Sequence, residues 1–248
     1  MEQEADRYPV RLFGASVAMD TMQRIISKHQ HSDGLIGLWP QNQMLGTISY
    51  DFGPNQGHGT HVDTTNRYRM SRSRGHYMNA TGYDAKLSSY TNILTADLIA
   101  SFDGNQGAAV MFCKTDAAWA EGINRYVLYL GTDDGHTIEF DKTVVAGGFR
   151  IRYNPGSGHA TSLALATMDW FCVGMVWDNP AVDEAYVYYN GVLDSTFVTL
   201  PAFTGTLDTA VIGASSAVPA DVWDGGIGLV AIYDEPKTPA EMLYLSTP

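Results

Sequence analysis

Apolar and polar residues alternate along most of the larger, C-terminal part of the chain, and this period of two predicts β-strands. In residues 108–114, Val110 and Phe112 would face one side of a sheet, while Met111 and Cys113 would face the other. Turns rich in Gly, Asn and Asp separate the predicted strands. This arrangement predicts a sandwich of two sheets.

Two features make the strand pattern more specific. Residues 171–177 are apolar on both faces, which predicts a central strand. Asn190 and Gly191 tolerate positive φ, so they predict a type I′ hairpin turn between residues 185–189 and 192–198. Further strands are predicted at residues 35–39, 47–51, 125–130, 137–141, 148–153, 209–213 and 226–233, with a short helix at residues 93–100.

A helical pattern precedes the strands. Apolar residues recur at roughly helical spacing over residues 16–29, and Lys28 and His29 at the end of this segment suit the helix dipole. We therefore divide the chain into an N-terminal extension, residues 1–32, and a β-sandwich, residues 33–248. The extension would pack on the sandwich or dock onto a partner.

The charge of the chain is acidic, with a formal net value of −12. An acidic body repels phosphate backbones, so we expect no nucleic-acid partner. One stretch departs from this balance, and we predict that it either contacts an acidic neighbour, such as another copy of the chain, or forms a solvated edge. Its residues are Arg67, Arg69, Arg72 and Arg74.

The sequence also bears on location. No apolar run approaches the ~20 residues that span a bilayer, and we expect no membrane partner. Residues 1–6 are acidic and lack the apolar core of a signal peptide. We therefore expect a protein made in the host cytoplasm that works on a virion surface; the alternative is an extracellular protein whose signal has been removed.

Three stretches, in this order along the chain, resemble segments of the laminin-G-like, concanavalin A-like superfamily. They are an opening strand, an apolar strand followed by a Tyr-x-Asn-Gly-Val hairpin, and an Ile-Gly strand followed by a hairpin and a Pro-Ala-Glu turn. The residues are 33–40, 170–173 with 188–192, and 211–214 with 223–227, 230–233 and 239–241. The resemblance implies an all-β jelly-roll sandwich of two antiparallel sheets, here with a short N-terminal helical extension.

Five large or sulfur-containing residues are predicted to be buried. Trp39, Trp170 and Trp223 would fill the core, with indole N–H groups that find partners near strand ends. Cys113 and Cys172 lie in apolar runs, which favours buried free thiols, although their spacing leaves a disulfide open.

Catalytic motifs are incomplete. Relatives that resemble laminarinases carry Glu-x-Asp-x-x-Glu on one strand, where two carboxylates flank the sugar bond. Here Glu139 and Asp141 match the first two acids, but Val144 occupies the third position. We therefore predict no enzyme activity, and we expect Glu139 and Asp141 to form one solvent-facing side of a strand.

Metal sites are limited to weak candidates. His58, His61 and Asp63 lie close together in the sequence, but a zinc site needs a further ligand. Many laminin-G-like and pentraxin-like domains bind calcium through loop Asp and Asn oxygens, so the resemblance makes calcium the candidate ion here. The candidate pairs are Asp103 with Asn105, and Asp133 with Asp134, and ordinary turn chemistry is the alternative for both.

These observations favour a structural or assembly protein, such as a phage decoration protein, whose partners are other proteins or its own copies. The alternative is a lectin-like carbohydrate-binding module, with or without calcium as a cofactor. In that module Trp119 would stack on a sugar, with Tyr83 and Tyr90 as further candidates.

Overall fold

The computed structural model describes residues 16–41, 47–62, 81–83, 89–115, 123–143, 148–154, 159–165, 169–215 and 221–247. These residues form three helices and fifteen strands. The helices are α1 (Ser16–Gln30), α2 (Ala96–Ser101) and α3 (Pro239–Ser246). None of the helices in the described part of the chain is long and apolar enough to cross a membrane.

The strands of the described residues form two antiparallel sheets. Sheet A has the order β1-β15-β6-β11-β12-β13, with β4 paired to β15. Its strands are β1 (Leu35–Pro40), β4 (Thr81–Tyr83), β6 (Gln106–Thr115), β11 (Phe171–Asp178), β12 (Glu184–Tyr189), β13 (Val192–Val198) and β15 (Gly225–Tyr233).

Sheet B has the order β10-β9-β8-β7-β14-β5-β3-β2. Its strands are β2 (Ile48–Ser49), β3 (Gly59–Val62), β5 (Tyr90–Asn92), β7 (Arg125–Thr132), β8 (Thr137–Lys142), β9 (Gly148–Asn154), β10 (His159–Ala164) and β14 (Leu207–Ile212). The sequence pattern did not predict β3, β5 or β10 of this sheet, nor β4 of sheet A, because these segments are short or lack a run of apolar and polar alternation.

The main core lies between the two sheets. Aromatic rings from both sheets meet there edge to face, since Phe149 of sheet B lies 5.5 Å from Phe171 of sheet A and 6.1 Å from Trp223, between ring centroids. The two-sheet antiparallel sandwich predicted from the sequence is confirmed.

A second core covers the outer face of sheet A. Ile25 of α1 and Met242 and Leu245 of α3 are buried there against β6 side chains that include Val110 and Phe112. Met111 and Cys113 point instead into the core between the sheets. The predicted division of faces along this strand is confirmed.

The central hairpin also follows the prediction. Asn190 has φ +48° and Gly191 has φ +78°, which are the positive values that a type I′ turn requires. A side chain at Gly191 would place its Cβ only 2.9 Å from the Leu243 backbone. The turn therefore packs directly against α3.

Helix α3 corrects the sequence analysis, which gave residues 239–241 only as a turn. Thr238 and Glu241 form a capping box, in which the Thr238 hydroxyl accepts from the Glu241 N–H and the Glu241 carboxylate accepts from the Thr238 N–H. Helix α2 begins three residues later than predicted because the Thr95 hydroxyl caps it by accepting from the Leu98 N–H.

The buried residues behave largely as expected. Cys113 and Cys172 are free and buried, and they project to opposite faces of sheet A, which explains why they do not pair. The Trp39 indole donates to the Gly57 carbonyl at 3.2 Å, and the Trp223 indole donates to a carbonyl at 3.0 Å. Trp170 is also buried, but its indole N–H has no partner within the described residues.

Candidate functional site

Sheet B has one face against sheet A and one that points away from it, which we call the outer face. Strand register places polar and aromatic side chains on the outer face, six of which lie side by side, while the alternating residues Ile138, Phe140 and Ile151 enter the core. The six residues are Tyr126, Tyr129, Glu139, Asp141, Arg150 and Arg152.

A β-bulge brings the two tyrosines to the same side. Tyr126 pairs with Asp141 and Tyr129 pairs with Glu139. In a regular strand, residues three positions apart, such as these two tyrosines, would face opposite sides of the sheet. The register shift between Tyr126 and Leu128 places both on the same side. The two rings meet edge to face, with centroids 6.0 Å apart, and Tyr129 remains half-buried while Tyr126 is buried.

Arginines from β9 cover the carboxylates of β8. Arg150 donates from Nε and Nη2 to the two Asp141 oxygens at 3.0 and 2.6 Å, which is a bidentate pair. Arg152 pairs with Glu139 and also donates to the Tyr126 hydroxyl at 3.0 Å. The Arg150 and Arg152 side chains keep 21% and 24% exposure, so they form the solvent surface above the acids.

This arrangement corrects the prediction that Glu139 and Asp141 form a solvent-facing side. They share a face, but both are buried because the arginines lie over them. One Glu139 oxygen accepts from the Thr137 hydroxyl at 2.6 Å and the other binds Arg152. Both carboxylates are therefore committed to neighbours within the sheet.

Burial sets the electrostatics of the outer face. It raises the pKa of Asp141, and the hydrogen bond and charge of Arg150 oppose that rise. The hydrogen bond to Asp141 raises the pKa of Arg150. Burial, followed by the charges of Glu139 and Asp141, raises the pKa of Tyr126 far above that of a free phenol. The face thus presents neutral phenols and paired ions.

Most predicted binding residues lie elsewhere or outside the described residues. Six of the predicted residues lie outside the described part of the chain: Asp63, Arg67, Arg69, Arg72, Arg74 and Trp119. Tyr83 ends β4, opposite Gly225 of β15. Tyr90 is 7% exposed and packs in the main core, so it does not offer the open ring that sugar stacking requires.

The side chains of the predicted calcium pairs make one local hydrogen bond and several to residues far along the chain. The Asp103 carboxylate accepts from the Asn105 N–H at 2.8 Å, and the Asn105 side chain bonds to both the N–H and the carbonyl of Phe203. Asp133 accepts from the Thr206 N–H, and Asp134 accepts from the Thr204 hydroxyl, both at 2.8 Å. The bond from the Asn105 N–H to Asp103 is local to a turn, whereas the other bonds join loops far apart in the sequence. Calcium binding at the two pairs stays a prediction.

The two histidines of the other candidate metal site diverge. His58 accepts from the Asp51 N–H, whereas His61 is buried against the Thr91 hydroxyl at 2.8 Å. Across the described parts of the chain, no three His, Cys, Asp or Glu residues form a group that could hold a metal ion.

A cavity of about 450 Å³, which sequence reasoning missed, lies between the end of α1, the start of β1 and loop 51–58. Phe52 is the prominent residue, with 41% of its surface exposed at the rim. A bulky aromatic directly before a glycine-rich turn was the available signal. The lining residues are Gln30, Ser32, Gly34, Leu35, Phe52, Gly53, Pro54 and Gln56.

Solved structures share this fold at low sequence identity. Trypanosoma rangeli sialidase in complex with sialic acid matches 93% of this chain with 38% of its own, at 12% identity and a TM-score of 0.64. Domain 4 of the Geobacillus stearothermophilus arabinanase AbnA, in complex with arabinotriose, matches 86% of this chain with 98% of its own, at 17% identity and a TM-score of 0.57.

A third structure, the CBM40 of the Ruminococcus gnavus IT-sialidase, matches 68% of this chain with 94% of its own, at 18% identity and a TM-score of 0.53. Identities this low establish the fold alone. No curated protein sequence matches the chain. Residues 87–242, more than half of the chain, match the Concanavalin A-like lectin/glucanases superfamily, and the chain belongs to this family.

Proposed function

We propose that the chain is a non-catalytic, lectin-like module that binds carbohydrate on the outer face of sheet B. The observation that carries the proposal is the Tyr126–Tyr129 pair beside the arginine-covered carboxylates. Within the described residues, α1 and α3 pack on sheet A and leave sheet B uncovered. The two tyrosines lie on the outer face of sheet B.

The chemistry of the outer face suits a polyhydroxylated ligand. The half-buried ring of Tyr129 offers an apolar surface for sugar C–H groups. The partly exposed guanidinium groups of Arg150 and Arg152 offer N–H donors for hydroxyl oxygens. The ion pairs hold these donors in fixed positions before a ligand arrives, which lowers the entropy cost of binding.

Relatives by fold support the class of ligand. Arabinotriose is bound to the AbnA domain, and sialic acid is bound to the Trypanosoma sialidase. Both ligands are carbohydrates, and both proteins share the sandwich. The fold likeness favours carbohydrate over other ligand classes but does not select the sugar.

The proposal of a non-catalytic role rests on the state of the carboxylates. Retaining hydrolysis needs two carboxyl groups that face the sugar bond, one of which gives up a proton. Glu139 and Asp141 are instead buried and bound by arginines. An acid held in this way is poorly placed to protonate a leaving group or to attack a sugar.

A glycan array probed with the full chain, in calcium and in chelator, tests this function. Each glycan that binds is then incubated with the protein and analysed by chromatography. We expect retention of at least one class of oligosaccharide and recovery of that glycan intact. An array without binding would overturn carbohydrate recognition, and the appearance of shorter products would overturn the non-catalytic role.

A second candidate is an assembly protein on a virion surface, in which this chain contacts its own copies. The observation that favours it is a set of exposed apolar residues where β13 meets α3. They are Val192, Leu193, Leu243 and Tyr244. Such patches often mark protein interfaces.

Light scattering of the full chain, with Leu243→Glu as the variant, tests this second candidate. An oligomer that dissociates in the variant would support it. A wild-type monomer at high concentration would contradict self-assembly.

A further inference from the structure

We propose that the cavity between α1, β1 and loop 51–58 is a second binding site, which takes an uncharged sugar unit stacked on Phe52. The cavity measures about 450 Å³, within the range of small-ligand pockets. Its residues lie at the end of α1, in the segment 31–34, at the start of β1 and in loop 51–58, and none of them belongs to the tyrosine and arginine group on the outer face of sheet B. The two sites can therefore be tested separately.

The loop that forms one wall is held in a fixed shape. The buried carboxylate of Asp51 accepts three backbone N–H groups, from Leu38 at 2.7 Å, Gly53 at 2.7 Å and Gly57 at 2.9 Å. These bonds tie both ends of the turn to β1. A loop of this kind keeps its shape without a ligand, which favours binding because little order remains to be imposed.

Phe52 is exposed although its own backbone is fixed on both sides. Its N–H donates to the Leu38 carbonyl at 2.7 Å, and its carbonyl accepts from the Gln30 side chain at 3.0 Å. The 41% exposure of this residue therefore reflects a defined position and not a loose loop. An aromatic ring presented this way at a cavity rim offers a flat apolar surface for the C–H face of a sugar.

Gly34 lines the cavity at a position that only a glycine fits. Gly34 has φ +65°, and a Cβ at this position would lie 2.7 Å from Asp234 Oδ1. That oxygen is buried and has no hydrogen-bond partner among the described residues. The side chains of Asp234 and Glu235 pack against Gly34 and hold this part of the cavity wall in place.

Charge selects the class of ligand. The polar side chains of the lining are the amides of Gln30 and Gln56 and the hydroxyl of Ser32, which pair with hydroxyl groups in either direction. Asp33 lies between two lining residues along the chain, and the side chains of Asp234 and Glu235 lie close to Gly34. These three acids outnumber the neighbouring cation Lys237, which donates to the Asp33 carbonyl. An anionic ligand would meet these charges without a cation in the lining, whereas an uncharged sugar would not.

Nuclear magnetic resonance titration of the full chain tests the proposal through the side-chain amides of Gln30 and Gln56. The probes are two uncharged trisaccharides, arabinotriose and cellotriose, and the acidic trisaccharide sialyllactose. We expect at least one uncharged probe to shift both amides, and sialyllactose to leave them unchanged. The variant Phe52→Ala should weaken that binding about tenfold, the size of effect expected for loss of an aromatic contact.

Matched variants separate this site from the outer face. Ile99→Ala removes another exposed apolar side chain, on α2, and should bind like wild type. Gln30→Ala provides a second test inside the cavity and should weaken binding as well. Tyr129→Ala should leave the cavity shifts intact.

Three results would overturn the proposal. One is the absence of shifts at both amides with either uncharged probe. Another is equal affinity of wild type and Phe52→Ala. The third is loss of the cavity shifts in Tyr129→Ala, which would assign them to the outer face. None of these results would contradict carbohydrate binding at the outer face of sheet B, which is tested separately by the effect of Tyr129→Ala on glycan affinity.

Discussion

His29 of α1 and Tyr233 of β15 are joined by a buried hydrogen bond of 2.6 Å between the imidazole Nδ1 and the phenol oxygen. This contact anchors the end of α1 to the outer face of sheet A. The Lys237 ammonium lies over the Tyr233 ring, 4.7 Å from its centroid. Burial lowers the pKa of His29 to about 3.

The buried His29 predicts a loss of stability in acid. The pKa of His29 in the folded state lies below its value of about 6.5 in the unfolded chain, so the unfolded state takes up a proton first. The stability contribution is complete above about pH 6.5 and falls as the pH drops toward about 3. Within this window one such group changes the free energy of unfolding by about 1.4 kcal/mol per pH unit.

Urea unfolding of wild type and His29→Gln between about pH 6 and about pH 4 measures this slope. In the variant, the free energy of unfolding should change less steeply with pH, by about 1.4 kcal/mol per pH unit, which corresponds to the uptake of one proton. His31→Gln is the matched control, because His31 is exposed only two residues away. Equal slopes in wild type and His29→Gln would contradict the burial of a neutral imidazole.

The Arg150–Asp141 pair predicts an asymmetric cost of mutation. Arg150→Ala leaves the buried Asp141 carboxylate without its partner and should lower the free energy of unfolding by about 3 kcal/mol. The double variant with Asp141→Ala should recover part of this loss, because no buried charge is left unpaired. Chemical denaturation of the single and double variants measures the coupling, and simple additivity would contradict it.

The Asp51 carboxylate predicts the rigidity of loop 51–58. Asp51→Ala leaves three backbone N–H groups without their acceptor and should lower the free energy of unfolding by about 3 kcal/mol, since each such donor costs about 1 kcal/mol or more. Amide hydrogen exchange at Gly53 and Gly57 should accelerate in this variant. Asp194→Ala, at an exposed position in β13, is the control. Unchanged exchange at the two glycines would contradict the role of Asp51.

Asn105 predicts a stability effect that does not depend on calcium. Its side chain makes two hydrogen bonds to the backbone of Phe203, so Asn105→Ala should cost about 2 kcal/mol. Thermal unfolding in calcium and in chelator should give the same difference between the variant and wild type. A calcium-dependent rise of the wild-type Tm that disappears in Asn105→Ala would assign this residue to a metal site instead.

Local patterns in the sequence predicted the long strands and their faces, but not the short strands β3, β4 and β5 or the strand β10. The turn at Asn190 depends only on neighbouring residues, and the faces of the strand around Phe112 depend only on alternation with a period of two. Both signals can be read directly from the sequence. Helix α3 was missed because the residues at its start, which include Glu241 of the capping box, were interpreted as a turn and not as the beginning of a helix.

The site was harder to predict because its partners come from different strands. The burial of Asp141 depends on Arg150, which lies directly opposite it on the next strand, and that register is not visible in the sequence. Tyrosine is a common residue in sugar-binding sites, but Tyr90 is buried because its strand lies inside the sandwich. The exposure of Phe52 likewise depends on the bonds that Asp51 makes with distant backbone groups.

The most direct test of the central claim is isothermal titration calorimetry of a glycan that binds on the array, with wild type, Tyr129→Ala and Tyr186→Ala. Tyr129 lies on the outer face of sheet B, whereas Tyr186 is a partly exposed tyrosine that packs against the second core on sheet A. We predict that Tyr129→Ala weakens binding about tenfold or more, and that Tyr186→Ala binds like wild type. Equal affinity of wild type and Tyr129→Ala would contradict carbohydrate binding on the outer face of sheet B.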